Sequence, residues 1–248
     1  MRSKLPSIER KQLVELSEKT LLTDDGKEAL TYLKSVRKLS DATIRKFRLG
    51  YVPHWIQNLH GDRHELAGRL TIPIYDQYAD LIAVSSRDWR EDAYQKFWHE
   101  SFHKGLFLFG INLAKNQIIK RSKAVIVEGE FDVMSLANNG FTFTVGQLGS
   151  APQLYQVALL SRYCSEIFIL CDSDPSGDIA KDKLLKLSRD NQLFEVYGVN
   201  VIPVQLPVGQ DPDEFIRKEG RDALLSVFRE ARAEIYKMKG LSNNVSMA

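Results

Sequence analysis

Cysteine is nearly absent from this 248-residue chain, which has only Cys164 and Cys171. Neither belongs to a C-x-x-C pair, and no cysteine–histidine cluster has zinc spacing, so no zinc is expected. Both lie in the stretch "YCSEIFILCD" and read as small buried hydrophobes in a reducing compartment. Long apolar runs are missing too. Nothing approaches the roughly 20 residues of a membrane-spanning helix, and the opening "MRSKLPSIERKQLVELSEK" is too polar for a secretion signal. The expected location is the cytoplasm. Charge of one sign is not in excess either: 34 Lys and Arg face 32 Asp and Glu, which excludes a polycationic tail or an acidic disordered block. The balance conceals an asymmetry. Basic residues outnumber acidic ones before about residue 120, and acids outnumber bases after it. Such halves suit a nucleic-acid backbone meeting a metal site, although an excess this small is also common in ordinary globular proteins.

The periodicity of the chain changes near residue 120. Before it, apolar spacings of three and four predict helices over 8–20 and 25–37, and Ser40 caps a short helix that Gly50 ends. "GRLTIPIYDQYADLIAVSSRDW" reads as a β-hairpin turning at "DQYAD", and the aromatic, basic stretch after it turns helical near Ile111. Beyond 120, "AVIVEG", "FTFTVG", "EIFILCD" and "YGVNVIPVQL" are short strands separated by helical segments. That alternation predicts a parallel α/β sheet with crossover helices. Helices over 212–219 and 221–237 follow, and "GLSNNVSMA" reads as a frayed tail.

Acids collect where these strands end, which in open α/β sheets is where sites form. Glu128 follows the first strand, with Asp132 in the next helix's first turn; Asp172 and Asp174 follow the third; Asp211 and Asp213 follow the last. Carboxylates brought together repel unless a cation sits among them, and hard oxygen ligands favour Mg²⁺ or Mn²⁺ and phosphoryl chemistry. Local explanations compete. Asp174 before Pro175 suits a helix cap, Asp211 with Glu214 suits a capping box, and Asp132 suits a helix dipole. One cluster is explained either way; three at successive strand ends favour a metal site.

E-G-x-x-D at 128–132, Gly149-Ser150 and D-x-D-x-x-G at 172–177 together resemble the TOPRIM domain of bacterial-type primases, topoisomerases and some nucleases. "LGYVP", "GRLTIPIYD", "SSRDW", "YQKFW", "FHKGLFLFG" and "LPVGQDPDEFIRKEG" resemble, in order, segments of the bacterial-type DNA primase core, over about residues 30 to 225. The resemblance implies an α+β fold: a basic N-terminal α+β subdomain (1–120), an α/β TOPRIM domain with a parallel sheet (121–210), and a C-terminal helical segment and tail (211–248). It also implies Glu128, Asp172 and Asp174 as metal-binding acids, with Asp132, Asp211 and Asp213 in support. Arg69, Arg87, Lys96 and Lys104 would meet template and nucleotide, with aromatic stacking from residues such as Phe97.

The implied activity is synthesis of short RNA primers on single-stranded DNA from NTPs. Alternatives are a metal-dependent nuclease or topoisomerase on the same domain, and a non-catalytic DNA-binding replication subunit. The sequence departs from the family pattern in having no cysteines in its first 27 residues, in stopping at residue 248, and in Ser173 where glycine is frequent. The first two imply a separate replication partner, a zinc-bearing initiation protein or a helicase, with the amphipathic stretches 8–37 and 221–237 as docking surfaces.

Overall fold

The computed structural model describes residues 7–54, 66–90, 93–149, 153–173, 175–192 and 196–240. Asp174, Ser150 and the tail from 241 lie outside the described residues. The chain divides into two compact units, Met1–His103 and Lys104–Ala248.

In the first unit, helix α1 (Ser7–Leu21) buries Leu13, Val14 and Leu21 at helical spacing. Leu13 and Val14 pack with Val52, Leu66, Val84 and Trp98. Arg10 enters the same interior and is held bidentately by Glu100, at 2.9 and 2.8 Å. The second expected helix is broken into a 3-10 turn (Asp24–Gly26), α2 (Lys27–Thr31) and a wide π-type turn (Tyr32–Val36), with Leu33 inside that turn and Leu39 beyond it both buried. Ser40 does cap α3 (Asp41–Lys46), accepting the Thr43 N–H at 3.2 Å. Gly50, however, does not end that helix. Arg48 takes the left-handed turn, at φ 55, and Gly50 opens strand β1 (Gly50–Val52), where Ser17 occupies the space of a side chain.

The hairpin is present as β2 (Arg69–Tyr75) and β3 (Leu81–Arg87), antiparallel. Its turn is held by Asp76, whose carboxylate accepts the N–H groups of Tyr78 and Asp80. An additional strand, β4 (Phe97–His99), pairs with β3, giving the sheet order β1-β2-β3-β4.

The second unit alternates as its periodicity predicts. Its elements are α4 (Ile111–Arg121), β5 (Lys123–Val127), α5 (Glu130–Asn138), β6 (Thr144–Gly146), α6 (Leu154–Ser161), β7 (Glu166–Leu170), α7 (Pro175–Asp190), β8 (Asn200–Val204) and α8 (Pro212–Met238). All four strands are parallel, in the order β6-β5-β7-β8. Residues 104–120 belong to this unit: Phe109 bridges Gly146 of β6, and Ile111, Ala114 and Ile118 of α4 are buried. From β5 the chain goes to β6 on one side, then crosses to β7 on the other. That reversal opens a crevice at the carboxyl ends of β5 and β7.

Gly220, at φ 82 and ψ 179, breaks α8 where the sequence separates two helices. The half beyond the break closes the amino ends of the strands. Glu166, the first residue of β7, accepts from Arg232 Nε at 2.6 Å and from Tyr236 Oη, and Lys123 Nζ lies 4.0 Å away. Lys239 donates to Asn200 at the start of β8. Among the described residues, no helix is long and apolar enough to cross a membrane.

Candidate active site

The crevice between β5 and β7 receives two carboxylates. Val125 pairs with Phe168 and Ile126 with Ile169, so the strands finish side by side, with Glu128 following one and Asp172 the other. The Asp172 N–H donates to Glu128 Oε1 at 3.3 Å, which ties the two strand ends together. Asp132 is buried one turn into α5. Its Oδ2 accepts the Gly129 N–H at 3.0 Å, and its Oδ1 accepts the Asp213 N–H at 3.3 Å, linking the end of β5 to the start of α8. Asp211 caps α8 by accepting the Glu214 N–H at 2.6 Å. Asp213 is clamped by Arg217 one turn on, at 2.9 and 3.1 Å. Glu128, Asp132 and Asp172 thus stand at the crevice, while Asp211 and Asp213 are engaged in a cap and an ion pair. Arg217 went unnoticed in the sequence, where its only signal is the i, i+4 spacing from Asp213.

Burial, followed by the charges of Asp172, Asp211 and Asp213, holds the Asp132 carboxyl well above the ordinary carboxylate range. Negative potential therefore accumulates at this end of the sheet, as a cation site requires. Among the described residues, no three His, Cys, Asp or Glu side chains form a metal-binding group by themselves. Glu128 and Asp172 nevertheless fit Mg²⁺, which takes one or two protein carboxylates and keeps several waters. Both cysteines are buried, and burial pushes the Cys164 thiol up to about 12 and the Cys171 thiol higher. They are inert hydrophobes.

The raised pKa of Asp132 has a measurable consequence. A carboxyl titrating higher when folded than when unfolded stabilises at low pH, and that contribution disappears as pH rises through the folded value. Asp132→Asn removes this dependence. In EDTA, as pH rises above the ordinary carboxylate range, the melting temperature of the variant should gain steadily on that of the parent. Parallel curves would rule out Asp132 as the titrating acid.

Residues 125–216 match a family described as Toprim-like. A DNA primase of Synechocystis is 33% identical over 236 residues, covering 82% of this chain and 37% of that protein. A DNA primase of Aquifex aeolicus is 33% identical over 226 residues, covering 80% of this chain and 44% of that one. The chain is a homologue of bacterial DNA primases. It spans between a third and a half of the length of these curated relatives. The crystal structure of the zinc-binding and RNA polymerase domains of Aquifex aeolicus primase superimposes with a TM-score of 0.73 at 27% identity, over 95% of this chain and 66% of that one. The DnaG primase catalytic domain bound to single-stranded DNA gives 0.80 at 22% identity, over 94% and 90% of the two chains, and shares the fold.

In this primase homologue, the basic residues singled out in the sequence have different surroundings. Arg69 is buried, donating to Ser86 Oγ at 3.0 Å and to the carbonyls of Gln95 and Lys96 at 2.8 and 3.0 Å, so it fastens the segment before β4. Lys96 is exposed on that segment. The Arg87 guanidinium lies 4.4 Å from the centre of the Phe97 ring, and Phe97 stacks parallel to His99. These three basic residues belong to the first unit; Lys104 belongs to the second. Gly177 of the D-x-D-x-x-G motif acts through its missing side chain. A Cβ there would overlap the Asp172 carbonyl oxygen and lie 2.8 Å from its carbon. The glycine lets α7 approach the backbone that carries Asp172.

Proposed function

We propose that this chain is the polymerising core of a DNA primase, which assembles short RNA primers from NTPs on a single-stranded DNA template. The observation that carries this reading is the pairing of Glu128 with Asp172 at the topological switch point of a Toprim-like sheet. Mg²⁺ or Mn²⁺ held by Glu128 and Asp172, with Asp174 as a further ligand, would neutralise the triphosphate and favour attack by the primer 3′-hydroxyl. Asp132, Asp211 and Asp213 then act from behind, fixing the start of α8 and maintaining the negative potential. Arg87, Lys96 and Lys104 supply cations for the phosphates of template and nucleotide, and Phe97 offers a ring for base stacking. Arg69 supports this function indirectly, by positioning the backbone of Lys96.

The net charge of +2 leaves little general attraction for a polyanion. A separate replication protein, whether a zinc-bearing initiation factor or a helicase, would raise the effective template concentration by tethering. Template-directed incorporation of labelled NTPs on single-stranded DNA tests the reading. Cleavage of the DNA under those conditions would favour a Toprim nuclease or topoisomerase instead, and binding without either reaction a non-catalytic subunit. Arg87→Ala should weaken single-stranded DNA binding and reduce its salt slope by about 0.7, the value of one phosphate contact. Binding curves superimposed on the parent's across a salt titration would make Arg87 a Phe97-packing residue only.

A further inference from the structure

Gln156 is 1% exposed at the third position of α6, where its side chain closes a capping box on Gln153, a task that needs only its oxygen. A Leu or Met would fill the same volume. Its side chain is nonetheless fully engaged. Nε2 donates to the Phe107 carbonyl at 2.8 Å and to the Gln147 carbonyl at 2.9 Å, with the Lys104 carbonyl a third, longer neighbour at 3.4 Å. Oε1 accepts the Gln153 N–H at 3.1 Å. One amide therefore joins three pieces of backbone: the Lys104–Leu106 turn, the loop leaving β6, and the start of α6.

Each of those pieces leads towards the crevice. Gln147 donates its N–H to the Val127 carbonyl at 3.0 Å, directly before Glu128. Leu148, next along, is held at φ 63, a left-handed conformation uncommon for a branched side chain. The Lys104 stem runs beside Gly149, 4.0 Å from where a Cβ would be. The Lys104 turn is further seated by the Phe109–Gly146 bridge, at 2.8 and 3.0 Å, and by Gly105, whose missing side chain leaves room for Gln153. The connection from Lys104 through Gln156 and Gln147 to Val127 is continuous, part-buried at Lys104 and Phe107 and buried at Gln147.

We propose that Gln156 is a positioning residue, which sets the Lys104 ammonium at a fixed distance from the Glu128 carboxylate. The inference rests on the reading of Lys104 as a cation for a substrate phosphate, on either the incoming nucleotide or the template strand. Buried hydrogen bonds suit this task. Leaving a buried carbonyl unsatisfied costs about 1–3 kcal/mol, so the amide strongly favours one arrangement of the turn. A cation displaced by about an ångström from its phosphate loses much of its effect on the reaction.

The test is a double-mutant cycle on the full chain, with Lys104→Ala, Gln156→Met and the pair together. It measures the NTP KM, kcat and single-stranded DNA Kd, alongside the melting temperature. If Gln156 acts through Lys104, each single variant weakens the same constant on the order of tenfold. The double variant is then no worse than Lys104→Ala. A rise confined to the KM marks nucleotide phosphate as the target, and one confined to the Kd marks template phosphate. Gln156→His, which keeps an N–H donor, restores most of the loss, and Gln156→Ala carries the cycle if Gln156→Met does not fold. Losses that multiply in the double variant, or a Gln156→Met chain with unchanged constants, overturn the proposal. A silent Lys104→Ala identifies a different failure, that of the lysine assignment itself, and removes the positioning role with it.

Discussion

Asp172→Asn should make no primer while holding single-stranded DNA as tightly as the parent, or slightly more so. The substitution preserves shape and retains the Asp172 N–H that donates to Glu128. What it removes is one unit of charge at a site where Asp132 is already forced towards its protonated form. Affinity for a divalent cation falls, because a neutral amide oxygen is a poorer ligand than a carboxylate. Phosphate repulsion falls as well, which is why template binding is spared. Primer synthesis under limiting Mg²⁺ and template binding by anisotropy separate the two effects. Substantial synthesis by the pure variant would remove Asp172 from the metal site.

The second large effect is expected where helix propensity alone points the other way. Gly177 lies in α7, and replacing glycine by alanine inside a helix ordinarily stabilises by about 1 kcal/mol. Here the added methyl would overlap the Asp172 carbonyl oxygen and lie 3.0 Å from its nitrogen. Backbone cannot swing aside as a flexible side chain can, so either α7 or the Asp172 segment must move. Overpacking of this kind costs about 1–3 kcal/mol, or a few degrees of melting temperature for a chain of this size. On the proposed function the loss of activity should be larger, on the order of a hundredfold, since the displaced group would be a metal-holding carboxylate. A Gly177→Ala chain that melts higher and primes normally would show that α7 adjusts freely.

Legibility in the sequence followed the range of the interactions. The parallel sheet was visible because short apolar strands alternate with helices over a few residues each, and the acids could be placed because they terminate those strands. The β4 strand was not visible: its three residues owe their conformation to pairing with Ser85, Ser86 and Arg87 rather than to their own pattern. The interruption of the helix expected over 25–37 likewise leaves the apolar spacing unchanged. Arg69 read as a cation for template and nucleotide because its partners, the carbonyls of Gln95 and Lys96, are 26 and 27 residues distant. Asp211 illustrates a different limit. The capping pattern and the acid cluster were both legible there, and the structure contains both, since a carboxylate can cap a helix and still add to the potential felt by Asp132.

The two central strands of the second unit, β5 and β7, begin at Lys123 and Glu166, beside Arg232, and finish towards Glu128 and Asp172. Direction along the sheet thus separates two kinds of inheritance. Substitutions among Lys123, Glu166, Arg232 and Tyr236 strand a buried charge and threaten persistence of the fold, at about 3–5 kcal/mol for a broken pair. Replacing Glu128 or Asp172 by its amide relieves repulsion and, on the proposed function, threatens the chemistry while leaving the fold at least as secure. A lineage can therefore lose or alter its reaction at one edge of this sheet and still transmit the scaffold intact from the other.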